Sequence, residues 1–117
     1  ICKTVNSLKK RGSNIDDLIA VIGPCISKNN YEVKKDFLKK FLNQNKKNKR
    51  FFNFSMKKIF FSLNECIKNQ LEEIGVNNIE TINKDTYLRK NNFFSYRRSL
   101  KNKYYDYGRN ISVIMIK

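Results

Sequence analysis

The stretch that decides the fold is Leu18-Ile19-Ala20-Val21-Ile22-Gly23-Pro24. Its first five residues are apolar and mostly β-branched or aliphatic, which is typical of a short strand buried on both faces. Pro24 cannot donate a hydrogen bond to a neighbouring strand, so we expect the strand to end at Gly23. A helical pattern starts a few residues later, at Tyr31. In α/β folds, ligands bind where a strand ends and the next helix begins.

Helix and strand patterns alternate on both sides of this strand. Residues 1–12 carry Ile1, Val5 and Leu8 at helical spacing and predict the last turns of a helix that stops at Gly12. The remaining patterns predict helices over 31–43 and 64–74 and strands over 79–82 and 111–116, the last of them largely buried. They also predict an exposed loop over 43–50 and an irregular segment over 85–100. Two apolar pieces, 51–52 and 59–61, fit either strands or buried loop.

The residue counts exclude several kinds of site. The chain has no histidine, so neither a Ser-His-Asp triad nor a Cys-His pair can be built from it alone. Its three cysteines are far apart in sequence, which argues against a metal knuckle or a redox pair and fits a reducing compartment such as the cytoplasm. No apolar run reaches the roughly 18 residues that a membrane span needs.

The net charge of +15 points first to a nucleic-acid partner. Lysine, however, supplies 19 of the 25 basic residues, asparagine is also abundant at 17 residues, and the lysines are scattered along the chain. Nucleic-acid surfaces more often cluster arginine with aromatic residues on one element. A small basic nucleic-acid-binding module is therefore an alternative here and not the leading hypothesis.

Three further segments carry candidate functional residues. In the turn after the first strand, Cys25 is expected to be a small buried apolar residue, because no histidine could activate it as a nucleophile. The segment Phe93-Phe94-Ser95-Tyr96-Arg97-Arg98 could clamp a phosphate or stack on a purine. In Asp106-Tyr107-Gly108-Arg109, Gly108 suits a bend and Arg109 could pair with Asp106 or Asp85, so a structural turn is favoured.

Taken in order, four motifs resemble one known family. They are IGPCIS..NYEV from residue 22, FFSL.ECI..QL..IGV from residue 60, DTY followed by FFSYRR from residue 85, and DYGR.ISVI from residue 106. Together they resemble the laccase-domain family, also called multicopper polyphenol oxidase and understood more recently as purine nucleoside phosphorylases with deaminase side activity. FFSYRR followed by DYGR is the most specific part. The resemblance covers the whole chain.

The resemblance implies an α+β fold, a mixed α/β sandwich-like domain with a mixed sheet, of which residues 1–117 are an incomplete C-terminal portion. The family domain is about twice as long, and its zinc site resembles a centre of two histidines and one cysteine, all placed before the part that matches Ile1. The implied chemistry is attack of phosphate on the ribose of adenosine, inosine, guanosine or methylthioadenosine. Adenosine deamination by a metal-activated water is also implied.

By position, the resemblance makes Ser95 and Arg98 the best candidates to line the substrate pocket, with Arg97 next and with Tyr31 and Glu32 near the same cleft. No metal ligand is expected within this chain. Relatives often have Asp-Leu before the second helix where this chain has Ser62-Leu63, and we expect Ser62 to cap that helix instead.

The older family name implies a copper-dependent polyphenol oxidase, which is the alternative within the same family. A multicopper centre needs many histidines, and this chain supplies none. If the predicted strands belong to a sheet shared with a missing half, the chain should expose apolar faces, self-associate and lack activity by itself.

Overall fold

The computed structural model describes residues 1–104 and 107–115. Within them the α-helices are α1 (Cys2–Lys10), α2 (Lys35–Gln44), α3 (Leu63–Glu73) and α4 (Tyr96–Lys101). The strands are β1 (Ile19–Ile22), β2 (Glu32–Val33), β3 (Phe52–Ser55), β4 (Lys58–Phe61) and β5 (Asn78–Thr81). Short 3-10 helices cover Ile15–Asp17, Lys46–Phe51 and Arg89–Asn91.

The strands form two small sheets. β1 and β5 pair in parallel, with Ile19 opposite Asn78 and Ile22 opposite Thr81. β2, β4 and β3 form an antiparallel sheet in that order. The predicted α+β class with parallel and antiparallel pairing is confirmed, and within the described residues the two kinds of pairing lie in separate sheets.

Helix α3 lies between the two sheets because it has two apolar faces. On one side, Leu71 joins Val5, Ile22 and Val76 in a core that links α1, β1 and β5. On the other side, Cys66 packs with the aromatic residues of the antiparallel sheet. The helix therefore holds the parallel sheet and the antiparallel sheet in one body.

The second core is a cluster of aromatic rings around Phe61. Its side chain is 1% exposed. Its ring centroid lies 4.9 Å from that of Phe52, 5.0 Å from Phe41 and 5.1 Å from Phe37. Tilted and edge-on pairs at these separations are favourable for aromatic rings, beyond the burial of their area. Helix α2 is held to the sheet by this cluster.

Two predictions around α2 need correction, the first only in where the helix begins. The helix predicted over 31–43 begins only at Lys35, because Tyr31 and Glu32 are drawn into extended pairing with β4: the backbone N–H of Phe61 donates to the carbonyl of Tyr31 at 3.0 Å. The loop predicted over 43–50 is largely a 3-10 helix, Lys46–Phe51, anchored by buried Phe51. The apolar pieces 51–52 and 59–61, left open between strand and loop, belong to the hairpin of β3 and β4.

Three further predictions near the C-terminal side need correction. Residues 111–115, predicted as most of a largely buried strand, form no strand and are exposed; Ile116 lies outside the described residues. The segment 85–100, predicted to be irregular, contains most of α4. Ser62 precedes α3, but its hydroxyl donates to the side-chain oxygen of Asn64 and makes no cap of its own. The helix over 64–74 and the strand over 79–82 are confirmed as α3 and β5.

Candidate functional site

The site is built where β1 and β5 end. Parallel neighbours end at the same edge of a sheet, so the loops that follow them run side by side. The backbone N–H of Ile82 donates to the carbonyl of Ile22 at 2.9 Å, and that of Thr86 donates to the carbonyl of Cys25 at 3.1 Å. Cys25 and Asp85 form an isolated parallel bridge. Backbone pairing therefore continues past the ends of β1 and β5 and brings the Gly23-Pro24 turn against the segment DTY.

Asp85 is the polar centre of this junction. Its carboxylate accepts hydrogen bonds from the hydroxyl of Ser27 at 2.5 Å, the side-chain amide of Asn30 at 2.7 Å and the backbone N–H of Tyr87 at 2.8 Å. Partial burial alone would raise the pKa of this carboxyl, but the hydrogen bonds from Ser27, Asn30 and Tyr87 outweigh it and lower the pKa below its ordinary value. Asp85 is therefore ionised at neutral pH and holds the two loops together.

Arg98 fixes the other end of the loop after β5. Its guanidinium donates to the backbone carbonyls of Thr86 at 3.1 Å, Tyr87 at 2.9 Å and Phe93 at 2.5 Å. The planar fork of arginine suits several carbonyls at once. The structure thus gives Arg98 a framework role, and a contact between Arg98 and substrate stays a prediction.

We expect Arg98→Lys to lower the free energy of unfolding by about 1 kcal/mol, because one ammonium group cannot replace a three-carbonyl fork. Arg11→Lys is the matched control, since Arg11 is exposed at the end of α1. Urea unfolding of the two variants measures the effect. Equal stabilities of the Arg98 variant and the parent chain would contradict the framework role.

Ser95 starts α4 and is buried. Its hydroxyl accepts a hydrogen bond from the backbone N–H of Arg98 at 3.3 Å, and the hydroxyl of Ser99 donates to the carbonyl of Ser95 at 3.1 Å. A serine cap of this kind satisfies an amide that has no partner within the helix. The cap directs the side chains of Tyr96 and Arg97, which follow it, outward.

The motifs NYEV and FFSYRR meet in a small cavity, which we call the aromatic hollow. It has a volume of about 230 Å³ and is lined by Ile26, Tyr31, Thr86, Phe94, Ser95, Tyr96 and Arg97. The guanidinium carbon of Arg97 lies 5.2 Å from the ring centroid of Tyr31, a cation–π distance. Of the predicted site residues, Tyr31, Ser95 and Arg97 lie together here. Aromatic faces beside an arginine can stack on a flat heterocycle.

A larger open cleft lies on the other side of Arg97, and we call it the cationic cleft. It has a volume of about 460 Å³ and is lined by Asn29, Asn30, Glu32, Val33, Lys34, Lys58, Phe60, Tyr87, Arg97 and Lys101. Glu32, another predicted site residue, lies in this wall, and its carboxylate pairs with Lys58 at 2.9 Å. Arg97 donates to the backbone carbonyl of Glu32 at 3.0 Å, so the two cavities share one side chain.

Residues 107–110 are packed against FFSYRR. The side-chain amide of Asn110 donates to the carbonyl of Phe94 at 2.8 Å, and its oxygen accepts from the backbone N–H of Phe94 at 3.0 Å. Arg109 stacks on the ring of Tyr107 at 4.1 Å and donates to the Tyr107 carbonyl at 3.0 Å. The favoured structural interpretation fits these contacts. Arg109 does not pair with Asp85 in the structure. The other predicted partner, Asp106, lies outside the described residues.

Gly108 is needed for close packing and not for a strand bend. A β-carbon placed there would come within 2.6 Å of the Phe94 ring. We expect Gly108→Ala to displace Phe94, which lines the aromatic hollow. Because Phe94 is half exposed, the ring can move outward, and the loss of stability should stay below about 1 kcal/mol. Near-ultraviolet circular dichroism should change while the urea midpoint moves little; an unchanged aromatic spectrum would argue against this packing.

Cys25 lies at the junction as an unreactive thiol. Partial burial raises its pKa, the Asp85 carboxylate raises it further, and a hydrogen bond with the Asn64 backbone acts weakly in the opposite direction. A thiol with a raised pKa is a poor nucleophile at neutral pH. The prediction of Cys25 as a small buried apolar residue is met in part, because its side chain is only partly buried.

No group of three or more potential metal-binding side chains lies together in residues 1–104 and 107–115. In the same part of the chain, no helix has the length and hydropathy that crossing a membrane would require.

Two sets of contacts in the candidate site were missed from the sequence. The donors to Asp85, Ser27 and Asn30, are 58 and 55 residues away along the chain. The lysines of the cationic cleft looked scattered because they come from separate elements. The sequence did show residues typical of turns after β1 and after β5, and these indicated that the two loops could lie side by side.

The family follows from the sequence as a whole. A family model described as multi-copper polyphenol oxidoreductase laccase matches residues 1–117. The chain belongs to this family. The resemblance stated from the four motifs is confirmed.

Two curated relatives of this chain are named for an activity other than the one in the family description. The chain is similar to a purine nucleoside phosphorylase of Rickettsia prowazekii (strain Madrid E), with 39% identity over 101 residues, which are 85% of this chain and 41% of that protein. It is also similar to a purine nucleoside phosphorylase of Rickettsia conorii (strain ATCC VR-613 / Malish 7), with 38% identity over 101 residues and the same coverage. The chain spans less than half the length of these curated relatives.

Proposed function

We propose that residues 1–117 are the C-terminal part of a single domain that acts as a purine nucleoside phosphorylase in the cytoplasm. The observation that carries the proposal is the position of Arg97. It stands between a hollow lined by aromatic rings and a cleft lined by lysines. A phosphorylase needs a purine and a phosphate held side by side, and the relatives named for that activity support the assignment.

The proposed reaction breaks one bond and forms another. A phosphate oxygen attacks the first carbon of the ribose, the bond to the purine nitrogen breaks, and the released base takes up a proton. Tyr31 and Phe94 would hold the purine by stacking, Ser95 lies beside them, and Arg97 would orient the phosphate and balance its charge. Arg98 and Glu32 are proposed to complete the pocket.

Adenosine, inosine, guanosine and methylthioadenosine are the proposed substrates, with adenosine deamination as a side activity. Zinc is the proposed metal of the longer protein, with its ligands outside residues 1–117. Copper is the alternative, favoured only by the wording of the family description. Metal analysis of a protein of the relatives' full length separates the two: stoichiometric zinc without copper excludes the oxidase.

The decisive assay uses a protein of the relatives' full length that contains this chain. We expect release of base from inosine and adenosine to depend on phosphate. Arg97→Ala should lower kcat/KM by about 100-fold, since a charge-assisted bidentate contact to phosphate is lost. Arg89→Ala, an exposed arginine of the loop after β5, is the matched control. Base release that proceeds equally without phosphate would refute phosphorolysis.

Residues 1–117 alone are expected to lack turnover of nucleosides and to bind no stoichiometric metal. The face formed by Ile19, Val21 and Ile82 is exposed and lines an open cleft of about 600 Å³ with residues 111–114. An apolar face of this kind promotes association. Sedimentation velocity over a concentration series should therefore show self-association. Adenosine turnover by the purified chain would contradict the proposal that it is one part of the catalytic domain.

A further inference from the structure

The cationic cleft has more positive charge than one phosphate requires. Lys34, Lys58, Arg97 and Lys101 face it, and the only carboxylate among its described lining residues is Glu32. Glu32 balances Lys58 at 2.9 Å, which leaves three cations without a carboxylate in the wall. A ligand with about three negative charges, more than the roughly one and a half to two that a single phosphate carries, would match this excess.

The four cations come from three different parts of the fold and are brought to one place by its tertiary contacts. Lys34 precedes α2, Lys58 begins β4, and Arg97 and Lys101 lie one turn apart on α4. The ammonium group of Lys101 lies 6.0 Å from the ring centroid of Tyr87, whose backbone N–H is held by Asp85. The cleft is thus tied to the same junction that forms the aromatic hollow.

The size of the cleft leaves room for a chain of phosphates as well as for a single ion. Its volume of about 460 Å³ is on the order of fifteen times the space that one water molecule occupies in the liquid. Lysine binds phosphate as a mobile point charge, and arginine binds it with a planar fork. Both kinds of donor are present along one wall.

We propose that the aromatic hollow and the cationic cleft together bind a purine nucleoside diphosphate or triphosphate. The purine lies against Tyr31 and Phe94, the phosphate chain extends past Arg97, and Lys34 and Lys101 hold its far end. Such a nucleotide occupies the place of both nucleoside and phosphate and acts as a competitive inhibitor. The assignment of a purine to the hollow rests on the proposed function, whereas anion binding in the cleft does not.

The test is a set of calorimetric titrations of a protein of the relatives' full length that contains this chain, with ADP, adenosine, inorganic pyrophosphate and a single-stranded oligonucleotide at physiological salt. We expect ADP to bind at least about tenfold more tightly than adenosine. The double variant Lys34→Ala/Lys101→Ala should weaken ADP binding by about tenfold and adenosine binding by less than about twofold. The matched control, Lys9→Ala/Lys47→Ala, removes the same charge from exposed positions outside the cleft and should change neither.

The inference is overturned if ADP binds no more tightly than adenosine, or if both double variants lose ADP affinity equally. An oligonucleotide that binds more tightly than ADP, and loses affinity equally in both double variants, would also overturn the inference and favour a nucleic-acid-binding module. If pyrophosphate binds as tightly as ADP, the purine adds nothing to the affinity, and the proposed purine nucleotide is rejected as the ligand. Phosphorolysis by a full-length protein without ADP binding rejects only this inference, and ADP binding without phosphorolysis rejects only the proposed function.

Discussion

Phe61→Ala is expected to lower the free energy of unfolding by about 3–5 kcal/mol. The Phe61 ring is 1% exposed and touches rings from β3, from α2 and from Tyr31, the residue before β2. Alanine would leave a cavity that rigid aromatic neighbours cannot fill by moving. Because domains of this size are stable by only about 5–15 kcal/mol, much of the chain should unfold.

Urea unfolding followed by circular dichroism, in dilute solution, measures this effect. The matched control is Phe54→Ala in the paired strand of the same hairpin, where the side chain is 52% exposed. We expect that variant to lose less than about 1 kcal/mol. Similar losses in both variants would mean that the aromatic cluster is not the centre of the second core. Phe61→Leu should fall between the two, since it keeps part of the buried volume.

Asp85→Ala is expected to lower the free energy of unfolding by about 2–3 kcal/mol. The carboxylate accepts hydrogen bonds from Ser27, Asn30 and the Tyr87 backbone, and all three donors lose their partner at once. The loss is smaller than the sum of three charge-assisted bonds because the site is only partly buried and water can reach the donors. Loosening this junction should also separate the loops that line the aromatic hollow and the cationic cleft.

The pH dependence of stability gives a sharper test of Asp85. Because the pKa of its carboxyl is lower in the folded chain, the ionised form stabilises the fold above the unfolded pKa of about 3.9. That contribution is lost as the pH falls through the folded pKa. The stability difference between the parent chain and Asp85→Asn should therefore be constant near neutrality and shrink below about pH 4.

Asp17→Asn is the control for this comparison, because Asp17 is exposed on a surface 3-10 turn. A stability difference between the parent chain and Asp85→Asn that persists unchanged at pH 3 would show that the Asp85 charge is not what the three donors recognise.

The family assignment and much of the local structure were predictable from the sequence. The apolar run before Gly23-Pro24 gave β1, the helical spacing after Ser62 gave α3, and the four ordered motifs gave the family. Of the site, Tyr31, Ser95 and Arg97 were predicted as neighbours and lie together in the aromatic hollow. Their roles toward substrate remain predictions.

Two of the errors share one physical cause. Tyr31 and Glu32 show helical spacing, yet pairing with β4 gives their backbone groups partners that the local pattern cannot reveal. Residues 111–115 alternate as a strand should, yet a strand needs a neighbour, and in the described part of the chain they pair with none. Local pattern sets a preference, and long-range hydrogen bonds decide between preferences of similar strength.

The sequence by itself determined the family, the apolar faces of the elements, the absence of histidine and the identity of the cations. The tertiary structure alone decided which of those cations converge and that Arg98 is occupied by backbone carbonyls. It alone also placed Asp85 between Ser27 and Asn30. The reason is geometric: parallel pairing of β1 with β5 brings together loops nearly 60 residues apart, and that adjacency depends on strand register, which no local stretch of sequence encodes.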